Sequence, residues 1–95
     1  LPSAGFTETL LRKRILQWRR MGLDVSEVEP ALNLASDDAY ALYSKVEEKV
    51  RRAVDLEQHL ELHTEDFTAS EEATARFRIR QLTGLDQLEE KFFGN

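Results

Sequence analysis

Arg19-Arg20-Met21-Gly22-Leu23-Asp24-Val25-Ser26-Glu27 reads as the end of one helix and the start of another. Glycine just past a helix end accepts the left-handed backbone conformation that closes it. Aspartate then offers its carboxylate to the free N–H groups of the next first turn, and a glutamate three residues on reaches back to the cap. The same grammar returns at Gly84-Leu85-Asp86, with Glu89 in the place of Glu27. Two stop-and-start signals in 95 residues predict an all-α fold.

Working outward, Thr7 is positioned to cap a first helix over about 7–21, with Leu10, Leu11, Ile15, Trp18 and Met21 on one face. Arg12, Lys13, Arg19 and Arg20 lie opposite. A short helix over about 25–34 follows, with Val25, Val28 and Leu32 as its stripe, Leu23 and Val28 as a hydrophobic staple, and a kink or restart expected at Pro30. Ser36 or Asp37 opens the strongest element, a helix over about 37–63. Ala39, Leu42, Tyr43, Val46, Val50, Ala53, Val54 and Leu60 line one face of it for about 40 Å. Glu57 interrupts that stripe: it is a buried acid with a raised pKa or, more simply, the seam drifts outward near the helix end or Glu57 pairs with an arginine of the first or fourth helix.

Thr68-Ala69-Ser70-Glu71 forms a second kind of start signal, a capping box opening a helix over about 69–82. Its segment Arg76-Phe77-Arg78-Ile79-Arg80 alternates like a strand, but no second strand is present to pair with it. A last short helix over about 86–93 carries Leu85, Leu88 and Phe92 on one side. The expected architecture is a small bundle within one domain, with the helices at 7–21, 37–63 and 69–82 as main members and the other two as closing elements.

Composition narrows the functional classes. The chain is 41% hydrophobic and 33% charged and contains no cysteine, so it folds on packing alone, without disulfides or thiolate chemistry. No uncharged run approaches the ~20 residues of a membrane helix. The net charge of −5 is unevenly spread: residues 1–23 carry +4 and residues 24–95 carry −9. Such polarity is met internally, or it draws one molecule's basic end to another's acidic side. The chain begins at Leu1 rather than methionine, and so reads as a piece of a longer protein in a cytoplasmic setting or on the cytosolic face of a membrane.

Catalytic signatures are missing. No serine stands in a nucleophile elbow, and the glycines at 5, 22, 84 and 94 are too scattered to cradle a phosphate. Asp55, His59 and His63 are spaced four apart on one outer strip, as metal ligands can be. Leu60 occupies the place of the zinc-protease glutamate, and a structural zinc site wants four ligands. No catalytic residue, metal or cofactor is assigned, and whether an ion binds there stays open. Arg12, Lys13, Arg19 and Arg20, with Trp18 nearby, suggest nucleic acid, but the helices after both turns are acidic and would be repelled by phosphates, and Trp18 faces the apolar side.

The expectation that remains is a non-catalytic interaction or assembly domain binding a protein partner or a second copy of itself. Its candidate partner-binding residues are Tyr43 and Val50 on the seam of the long helix, Phe92 and Phe93 near the end, and Arg12, Arg19 and Arg20 on the first helix. The alternatives are a cytosolic domain beside a membrane anchor outside this chain, and nucleic-acid binding through the basic first helix. The string Trp18-x-x-x-Gly22-x-Asp24-Val25-x-x-Val28-Glu29, followed by a long charged helix and a short pair, is similar to helical modules of archaeal proteins. Its motif is chiefly capping chemistry, implies no catalytic residue and identifies no family.

Overall fold

The computed structural model describes residues 7–94, and among these it is all-α. Four α-helices run in the order α1 (Glu8–Arg20), α2 (Ser36–Leu62), α3 (Ala69–Gln81) and α4 (Leu85–Phe93). Two 3-10 segments, Glu29–Asn33 and Thr64–Asp66, stand on either side of α2. No helix among the described residues is long and apolar enough to cross a membrane. The contacts gather into two compact units, one reaching to Glu48 and one starting at Lys49, so α2 contributes to both. Of the helices expected as main members, α1 falls in the first unit and α3 in the second.

In the first unit, Thr7 caps α1 as its type dictates, its Oγ1 accepting from the N–H of Leu10 at 3.1 Å. The helix closes at Gly22, which takes φ +84°. Gly22 N–H donates to Arg19 O and Leu23 N–H to Trp18 O, the paired bonds of a Schellman motif. Beyond it, the expected helix over 25–34 does not form. Asp24 spends its carboxylate on the N–H of Ser26, two residues on at 2.9 Å, closing a tight turn. Only a 3-10 segment follows, with Pro30 in its first turn, where the missing N–H does no harm. The tighter winding turns Ala31 inward to 1% exposure and leaves Leu32 half-buried. Met21, expected on the apolar face of α1, is exposed because it sits at the helix C-cap.

The core of this unit joins Leu11, Ile15 and Trp18 of α1 to Val25, Val28 and Ala31, and to Ala39, Tyr43 and Val46 of α2. Trp18 stacks on Tyr43 with ring centroids 5.6 Å apart and planes within 8°. Tyr43 O–H donates to Glu47 Oε2 at 2.9 Å; burial first, and then this bond to a carboxylate, hold the phenol above its ordinary pKa.

In the second unit, Val50, Ala53, Leu56 and Leu60 of α2 are buried with Ala75 and Ile79 of α3, Leu82, and Leu85 and Leu88 of α4. Leu56 replaces Val54 in the expected stripe, and Val54 is exposed. Glu57 stays at the border and meets Arg76 at 3.9 Å and Arg80 at 3.8 Å, both from α3, the pairing that its place on the seam asked for. The capping box at Thr68 is complete: Thr68 Oγ1 accepts from Glu71 N–H, and Glu71 Oε1 accepts from Thr68 N–H.

The second Gly-Leu-Asp phrase works differently from the first. The left-handed residue that closes α3 is Leu82, at φ +56°, with Thr83 N–H bonded back to Arg78 O. A left-handed leucine costs about 1–2 kcal/mol. Its side chain is 7% exposed, and that burial offsets the cost. Gly84, also left-handed at φ +61°, then becomes the N-cap of α4 without any side-chain bond. Asp86, expected as that cap, lies inside the first turn and binds Arg52 instead.

Arg52 is the fork that fastens α4 to α2. Its Nε and Nη2 donate to the two carboxylate oxygens of Glu89 at 3.0 and 2.6 Å, and Nη2 also reaches Asp86. These bonds hold the guanidinium fully protonated and keep Glu89 below its ordinary value. Glu71 is lowered first by the Thr68 N–H and then by Lys91, and Asp24 by the Ser26 N–H. All three carboxylates are depressed in the folded state, so their stabilisation is complete above the unfolded values and disappears as pH falls through the folded ones. Urea midpoints are expected to hold between pH 7 and about 5 and to fall steadily below the ordinary glutamate value of 4.5. Arg52→Met, which returns Glu89 to ordinary behaviour, should flatten part of that fall; an unchanged acid limb would show that the fork is not formed in solution.

Candidate functional site

Helical spacing brings the two histidines together, and α4 packs its last rings on His59. His59 and His63 are one turn apart on α2, with ring centroids 4.5 Å apart. The 3-10 turn after α2 sets Phe67 in extended backbone. The final turn of α4 supplies Phe92 and Phe93. Phe92 stacks on His59 at 5.1 Å, Phe93 meets His59 edge-on at 4.8 Å, and Phe67 tilts against Phe92 at 5.1 Å. Leu60, fully buried, fixes this end of α2 from beneath.

The cluster is only partly covered. Phe93 is 55% exposed and Leu62, one turn after His59, is 68% exposed. Phe92 and Phe67 are half-buried. Asp66 stands 3.7 Å from His63 Nδ1, and three further exposed carboxylates are close to the cluster in sequence: Asp55 four residues before His59, Glu65 in the turn, and Glu90 three residues before Phe93. Such a surface can bury apolar atoms of a partner at its centre and attract cations at its edge. On its other side Phe92 lines, with Phe67, Ala75, Arg78, Leu88 and Lys91, an open cleft of about 290 Å³.

The expected site residues are divided by the fold. Phe92 and Phe93 come together as a surface. Tyr43 and Val50 do not: each is 6% exposed, since the seam that the spacing marks is covered inside its own unit. On α1, Arg12 pairs with Glu8 at 2.8 Å and Arg19 with Glu29 at 3.0 Å, while Arg20 stays exposed. Asp55, His59 and His63 do not converge as ion ligands, and no group of three such side chains does so among the described residues. The imidazole of His59 is instead sandwiched among rings.

His59, Leu62 and Phe67 were missed as members of this surface. The one signal present was the i,i+4 histidine pair, which fixes a shared strip but not the arrival of two phenylalanines some thirty residues on. Compared with protein-family models, with curated proteins and with solved structures, the chain matches none.

Proposed function

We propose that this chain is a non-catalytic helical interaction module that docks a protein partner through the aromatic patch formed by α2 and α4. The observation that carries the reading is the joint exposure of Phe93 and Leu62 over stacked His59 and Phe92. A single exposed leucine is ordinary, whereas clustered aromatic and aliphatic side chains on elements that also carry exposed carboxylates have the make-up of an interface core and rim. Binding through α1 to nucleic acid is the weaker reading, because Arg12 and Arg19 already face Glu8 and Glu29.

The test is a photo-crosslinking residue, benzoylphenylalanine, placed at position 93 and, as a control, at position 77. Phe77 is a comparably exposed phenylalanine on α3, at 65%. Illumination in cells is expected to give discrete covalent products from position 93 that position 77 does not give. Equal or absent crosslinking from the two positions would remove the patch as the docking surface.

A further inference from the structure

We propose that the partner is a second copy of this chain, whose α1 seats the strip Lys13, Leu16 and Arg20 on the acid-rimmed patch of Phe93, Leu62 and His59. This rests on reading the patch as a docking surface. Lys13, Leu16 and Arg20 are spaced three and four apart, so they share one outer strip of α1. Leu16 is 43% exposed, an apolar residue between two cations.

The charges left over match. Among the described residues Lys13 and Arg20 have no ion-pair partner, while Arg12 and Arg19 on the same helix do. Around the patch, Asp55, Glu65 and Glu90 have no cation partner among the described residues, while Glu89 and Glu71 have Arg52 and Lys91. Spare cations flank an exposed leucine on one element, and spare anions flank exposed rings on another. Leu16 on the one face and Phe93 and Leu62 on the other are exposed. The +4 of residues 1–23 against the −9 of the remainder gives the encounter its direction. Reciprocal seating of the two faces closes a pair, and one-way seating extends a row of copies.

Sedimentation velocity of the 95-residue chain between about 1 µM and about 1 mM tests this. At about 20 mM salt the mass is expected to rise with concentration, and to fall back at about 500 mM salt, where exposed charges are screened. K13E/R20E should weaken association at least about tenfold, and so should D55K/E90K. Mixing the two variants should restore it, because each inverted face then meets its complement. Far-ultraviolet circular dichroism of each variant checks that it is folded. A constant monomer mass over the whole range at low salt overturns the proposal, as does association that survives both charge reversals. Crosslinks from position 93 to a different protein alone would also overturn it while keeping the interaction module; absence of any crosslink from that position would end the module reading itself.

Discussion

Trp18→Ala is expected to remove about 3–5 kcal/mol from the stability of the unit that holds it, the range for an aromatic core residue cut back to a methyl. Trp18 is 5% exposed and lies flat on Tyr43, so the substitution removes both a large buried area and a stacked partner. Since Trp18 is the only tryptophan, its fluorescence reports this unit in the parent chain, and backbone circular dichroism must follow the variant. Tyr43→Phe is the companion measurement. It keeps the stacked ring and loses the bond to Glu47, which is worth about 0.5–1.5 kcal/mol. If Trp18→Ala cost no more than Tyr43→Phe, the ring stack would contribute nothing to this core.

Why some of the fold was legible and some was not can be followed residue by residue. Thr7 and Thr68 announced their helices because a hydroxyl at an N-cap acts on N–H groups two or three residues away, a distance that sequence fixes. Gly22 did the same for the end of α1. The two failures share a cause. Asp24 and Asp86 are each compatible with capping, with a tight turn and with an ion pair. Asp24 takes the tight turn with Ser26, and Asp86 takes the ion pair with Arg52, thirty-four residues away. Local chemistry offers such residues several partners, and the fold selects one.

The candidate site follows the same division. Phe92 and Phe93 were visible as adjacent large apolar residues. Tyr43 and Val50 were placed correctly on the apolar face of α2, but periodicity cannot say whether a face is covered, and theirs is. His59 was read with Asp55 and His63 as one outer strip, with ion binding left open, because their spacing is local. Its actual neighbours from α4 are distant in sequence and left no mark on it.

Leu56→Ala should cost about 2–5 kcal/mol, and Glu57→Ala, at the adjacent position, less than about 1 kcal/mol. The contrast tests the rotational phase of α2, since neighbouring helical residues point about 100° apart. A heptad seam continued through Val46, Val50, Ala53 and Leu60 places residue 57 inside, where Glu57 would be a costly buried charge. The spacing that is buried instead runs Val50, Ala53, Leu56, Leu60, with Leu56 at 0% exposure. That shift lets Glu57 remain 35% exposed at the border, where Arg76 and Arg80 stand 3.8–3.9 Å away. Ion pairs this long and this wet contribute little, whereas the Leu56 cavity opens among Ala53, Leu60 and the α3 and α4 side chains that close the unit. Urea midpoints at unchanged m-value give both numbers directly. A reversed order, with Glu57→Ala the more damaging, would mean that α2 is turned about its axis from the arrangement described and that residue 57 belongs to the interior.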